Sequence, residues 1–84
     1  MKKGKKIQRK LIWDAEGINL LAKKLVEIRK EHGYTQEDLA YESGLSLSQI
    51  ARIETSKINP TVSTIFKIAR TLRIKPSELL DFKL

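Results

Sequence analysis

The side chains best equipped for chemistry lie between Thr35 and Lys57, and they are hydrogen-bond donors rather than nucleophiles. Arg52 carries a planar fork of N–H groups that matches the O6 and N7 acceptors of guanine. Leu47 and Ala51 offer methyl surface of the kind that meets thymine, and Ser48 adds a hydroxyl one helical turn before Arg52. Catalysis finds little material. His32 is the single histidine and its place at a helix end is explained by the helix dipole, while cysteine is absent altogether. Glu37 and Asp38 are adjacent acids in a first helical turn, where the same dipole accounts for them. No phosphate-cradling glycine loop and no metal-ligand spacing occurs, so no catalytic residue, metal or cofactor is expected.

Two short helices joined by a tight turn must present that donor set. Thr35 is an N-cap with Asp38 placed to reciprocate, which predicts a capping box. Leu39 and Ala40 then face inward, and Ala40 is small enough for a second helix to come close. Gly44 stops the first helix where a positive φ is required. Ser46 caps the second helix, and Gln49, three residues on, is expected to complete another capping box. Ile50 and Ile53 share its inner face. Leu47, Ser48, Ala51, Arg52 and Thr55 are left on the other face, free to enter a DNA major groove.

The remaining elements read as support for this pair. A first helix is expected to start between Asp14 and Asn19 and to run to about His32, with Ile18, Leu21, Leu25 and Ile28 as its buried stripe. Gly33 should end it, with Tyr34 folding back as the apolar contact. After a loop at Ser56–Pro60, Thr61 caps a helix whose inner face is Ile65, Ile68, Ala69 and Leu72. Lys75-Pro76 opens a short last helix, after which Leu79, Leu80 and Phe82 close the core or meet another subunit. No strand is predicted.

Charge and length narrow the class further. The 84 residues suit one small domain with a formal charge of +7, and they include no apolar run of membrane-spanning length. Lys2, Lys3, Lys5, Lys6, Arg9 and Lys10 carry most of that charge, since the chain beyond Trp13 has eleven basic residues against ten acidic. Such an arm suits a phosphate-rich partner or serves as a solvated extension, and charge alone does not choose between them. The stretch Ile7–Trp13 fits an extended segment or a helix start, with Trp13 packing over the first helix. A soluble, intracellular protein in a reducing compartment is expected.

The stretch LVEIRKEHGYTQEDLAYESGLSLSQIARIETSKINPTVSTIFKIARTLRIKPSELL resembles the phage-repressor-type helix-turn-helix family, the Cro/lambda-repressor-like (XRE) regulators. In the twenty-residue frame that starts at Gln36, Ala40 is fifth, Gly44 ninth, Ile50 fifteenth and Ile53 eighteenth, as the family pattern asks. The resemblance implies an all-α, five-helix lambda-repressor-like DNA-binding domain over residues 18–84, preceded by a basic arm over residues 1–17. It implies a sequence-specific regulator of transcription, a repressor, that binds double-stranded DNA as a homodimer in the bacterial or phage-infected cytoplasm, at the nucleoid. Leu47, Ser48, Ala51 and Arg52 would face base edges, while Gln36, Ser46, Thr55 and Lys57 would touch the DNA backbone. Arg29 and Glu54 match a structural ion pair. Two residues depart from the pattern: Leu47 stands where relatives often have Gln, and Ser56 where Gly is usual, which predicts left-handed strain there. The family also supplies antitoxins, so the alternative is a protein-interaction module that holds a toxin partner through Leu79–Leu84 or the arm around Trp13.

Overall fold

In the computed structural model, which describes residues 12–84, the regular structure of the described residues is five helices and no strand. They are α1 (Ala15–Glu31), α2 (Gln36–Ser43), α3 (Leu47–Glu54), α4 (Val62–Leu72) and α5 (Pro76–Leu79). α1 packs on α3 and α5, α2 on α3 and α4, and α4 on α5.

Most helices begin where an oxygen-bearing side chain takes up a free backbone N–H. Asp14 accepts from Gly17, and Thr61 accepts from Thr64, at 2.9 and 3.1 Å. At Thr35 the box is complete: its hydroxyl accepts from the Asp38 N–H and the Asp38 carboxylate accepts from the Thr35 N–H, both at 2.9 Å. The Thr35 backbone N–H, and after it the Thr35 hydroxyl, hold the Asp38 carboxyl below its usual value. Ser46 departs from expectation. It accepts from the Gln49 N–H at 3.0 Å, but no bond returns from the Gln49 side chain to complete a box. The reciprocal bonds that do form use the carboxylates of Asp38 and Glu78, for which both the charge-assisted bond and the helix dipole are stronger than for a neutral amide.

The helix ends repeat one device. Gly33 has φ 75° and its N–H reaches the Lys30 carbonyl while the Tyr34 N–H reaches that of Arg29, each at 3.0 Å. The same paired bonds close α3 and α4, but there the left-handed residues are Ser56 (φ 61°) and Arg73 (φ 59°). The strain expected at Ser56 is therefore present, and Arg73 carries a second instance that sequence reasoning did not find.

The stripes expected on α1 and α4 are buried, and Leu39, Ile50, Ile53 and Leu79 meet them at the centre of one core. Three expectations are corrected. α1 already starts at Ala15, capped by Asp14, so residues 15–17 belong to the folded body and not to an arm. Trp13 is 51% exposed, so it does not form a sealed cover over α1; residues 1–11, including Ile7 to Leu11 and the lysines, lie outside the described residues. Leu79 is fully buried and Phe82 packs against the core, which removes two of the apolar residues assigned to holding a toxin.

Two stability measurements follow. Ser56→Gly relieves a strained backbone and raises unfolding free energy in urea by about 0.5–1 kcal/mol. Because the folded-state pKa of Asp38 is depressed, its contribution is complete above the ordinary aspartate range and is lost as pH falls through the folded value. Asp38→Asn therefore lowers the Tm at neutral pH, and the difference from wild type shrinks as pH falls through the depressed folded value of Asp38.

Candidate nucleic-acid interface

The turn between α2 and α3 sets the angle at which α3 is presented. Gly44 has φ 79°, and a Cβ built on it would meet nothing within 4 Å, so backbone conformation and not space requires glycine there. Ser43, 1% exposed, was not singled out from sequence. Its hydroxyl donates to the Ala40 carbonyl at 3.3 Å and accepts from the Leu45 N–H at 3.1 Å, which satisfies the only backbone donor between the glycine and the next cap. Ala40 is buried at this contact, as its size requires.

α3 divides cleanly. Ile50 and Ile53 are buried, whereas Leu47 (44% exposed), Ser48 and Arg52 face solvent and Ala51 is half-buried beside them. The expected base-contact set is thus brought together on one side of one helix. Arg52 makes no ion pair with any described residue, so its guanidinium is available.

The expected backbone-contact residues fare differently from one another. Ser46 is exposed and uses only a lone pair in capping, which leaves its proton free to donate. Lys57 is exposed just past the end of α3. Thr55 is exposed too, but its hydroxyl donates to the Ala51 carbonyl at 2.8 Å, so as placed it offers an anion no proton. Gln36 is half-buried, and its side-chain amide donates to Glu54 at 2.9 Å instead of pointing to solvent.

That last bond belongs to a larger tie. Arg29 on α1 meets Glu54 on α3 through two parallel bonds, Nε to Oε2 at 2.5 Å and Nη2 to Oε1 at 2.9 Å. Its remaining nitrogen donates to the Tyr34 carbonyl at 2.8 Å. The side chains are 8% and 4% exposed. Glu54 sits at the C-terminal end of α3, where a negative charge opposes the helix dipole, and the guanidinium offsets that cost. The hydrogen bond to Glu54, chief among the causes, holds Arg29 above its ordinary value and so fully charged. One carboxylate accepts from α1 and α2 while belonging to α3; sequence reasoning found the pair but not the third member.

Three kinds of similarity bear on this geometry. A family model described as helix-turn-helix matches residues 25–79. The HTH-type transcriptional regulator y4dJ of Sinorhizobium fredii is 33% identical over 61 residues, 73% of this chain and 79% of its own. The HTH-type transcriptional regulator PuuR of Escherichia coli is 39% identical over 59 residues, and the chain spans only 32% of its length. Among solved structures, the restriction-modification controller protein C.Esp1396I, crystallised as a tetramer with its natural 35 base-pair operator, superimposes with a TM-score of 0.73 at 30% identity. That match covers 79% of this chain and 87% of the controller protein.

The buried tie yields a thermodynamic cycle. Arg29→Met leaves a desolvated carboxylate without its partner and costs about 3–5 kcal/mol by urea unfolding. Adding Glu54→Leu returns most of that loss, because the unpaired charge is then gone. A loss that persists in the double variant would mean that packing of the Arg29 stem, not charge, is what matters.

Proposed function

We propose, from the premise that the chain belongs to the helix-turn-helix family of phage-repressor type, that it is a DNA-binding regulator of transcription which acts as a repressor. The observation that carries the reading is the division of α3: two buried isoleucines anchor it, and an arginine with no ion pair among the described residues stands beside small and apolar side chains on the side turned to solvent. Laid in a major groove, that side lets Arg52 give two bonds to a guanine while Leu47 and Ala51 meet thymine methyls and Ser48 bonds to either kind of edge. Ser46 donates its free proton to a phosphate, Lys57 supplies a point charge, and the backbone N–H groups at the start of α2 supply donors beside Gln36. Thr55 joins them only by exchanging its bond to Ala51.

One eight-residue helix reads too few base pairs to find a site alone, so two copies acting as a homodimer complete the reader. A surface that suits the contact lies beside the loop that follows α3. An open apolar hollow of about 450 Å³ has Ile18, Leu21 and Ile65 in its lining, and Phe66, Leu80 and Leu84 stand exposed around it. A hollow and protruding apolar side chains on the same face are what a two-fold contact requires, since each copy then fills the other. Repression follows from occupying a site that polymerase needs.

Selection from a random duplex pool is expected to return a pseudo-palindrome whose half-sites lie about one helical turn, or 34 Å, apart. Arg52→Ala lowers affinity for the selected duplex by about 1–3 kcal/mol and relaxes the choice at one base pair in each half-site. Recovery of no preferred sequence by the wild-type chain refutes the reading.

A further inference from the structure

The first turn of α3 opens with Leu47, Ser48 and Gln49, the first two exposed and the third half-buried, and only the third carries a carboxamide. A carboxamide is the group that matches adenine in the major groove, its NH2 reaching N7 while its oxygen accepts from the N6 amino group. Leu47, where relatives often place such an amide, has none to offer. The sequence explains Gln49 as half of a capping box with Ser46, and the structure takes that explanation away. Gln49 contributes its backbone N–H to the Ser46 hydroxyl at 3.0 Å, and its side chain returns nothing, whereas the Asp38 and Glu78 carboxylates at the corresponding positions of α2 and α5 both accept from the backbone N–H of their N-cap residue, at 2.9 and 3.0 Å.

The side chain is half-buried, yet no buried side-chain nitrogen or oxygen among the described residues lacks a partner. The Gln49 amide makes no hydrogen bond with a described residue. About 100° separate successive residues round a helix, which puts Gln49 on one flank of the Ser48–Arg52 row with Leu47 on the other. From a flank only a long side chain reaches a base edge, and among these residues Gln49 has one that ends in both a donor and an acceptor.

We infer that Gln49 is a specificity-determining residue of this chain, reading the N6 and N7 edge of an adenine next to the base pair that Arg52 reads. The inference rests on the DNA-binding reading above and adds a residue which that reading does not use. A helix-capping residue and a base-reading residue respond differently to Gln49→Glu. The carboxylate has the same length, closes the box on the Ser46 N–H and suits the start of the helix, so folding stability is unchanged or rises. At the DNA it loses the donor to adenine N7 and instead accepts from the N4 amino group of cytosine.

The test takes the duplex that the wild-type chain selects and measures binding by titration. Replacing the assigned adenine by 7-deazaadenine, which keeps base pairing and removes one acceptor, weakens the wild-type chain roughly 10-fold. It leaves Gln49→Ala unchanged, because that variant has no contact there to lose. Random-pool selection with Gln49→Glu replaces adenine by cytosine at that position alone, and its Tm does not fall. If Gln49→Ala selects the same sequence as the wild type and shows the same sensitivity to 7-deazaadenine, the inference is overturned while DNA recognition stands. If the wild-type chain prefers no duplex at all, both fall together, and the two failures are told apart by that single control.

Discussion

The Glu54 carboxylate is the point on which the arrangement turns. It belongs to α3, accepts two bonds from Arg29 on α1 and one from Gln36 on α2, and is nearly sealed from water. α2 and α3 have eight residues each, well short of the roughly 12–15 at which isolated helices become even marginally stable in water. Their existence as helices is therefore a tertiary result. Apolar contact between Leu39, Ala40, Ile50 and Ile53 supplies most of the driving force but little direction, because dispersion and hydrophobic burial tolerate some sliding. A bidentate guanidinium–carboxylate bond does not tolerate it. Its contribution is one of register, fixing how far α3 is rotated and hence which residues it turns to solvent.

Much of this could be read from the chain because the rules involved are local. Thr35, Ser46 and Thr61 cap the helices that follow them, Pro76 opens α5, and the stripes of α1 and α4 are buried as their spacing requires. Family resemblance supplied the Arg29–Glu54 pair, which no local rule predicts across 25 residues. What escaped depends on closure in three dimensions. The resemblance places Gln36 at the DNA backbone, and only the assembled fold shows the carboxylate that draws its amide inward. The Thr55 hydroxyl has a carbonyl one turn back within reach, a competition that any exposed threonine in a helix faces and that sequence cannot settle. Arg73 takes a left-handed conformation with no glycine to announce it, because the paired bonds that end α4 and the burial of Leu72 outweigh the local cost.

The tie and the turn together separate two tasks. Ser43, Gly44 and Glu54 fix where α3 lies, and none of them stands among the side chains it presents. Solvent-facing residues are then free of structural duty: Ser48 and Arg52 make no described contact that holds the fold, and Leu47 is not part of its core.

That separation has an evolutionary consequence. With Ile50, Ile53 and the tied Glu54 the residues of α3 committed to the interior, the outward positions can be rewritten almost one at a time without a toll on folding. A lineage that duplicates such a gene can drift to a new binding site through viable intermediates, keeping the scaffold while its vocabulary changes. The same economy suits laboratory retargeting: a library confined to the outward face of α3 would explore recognition while every member still folds.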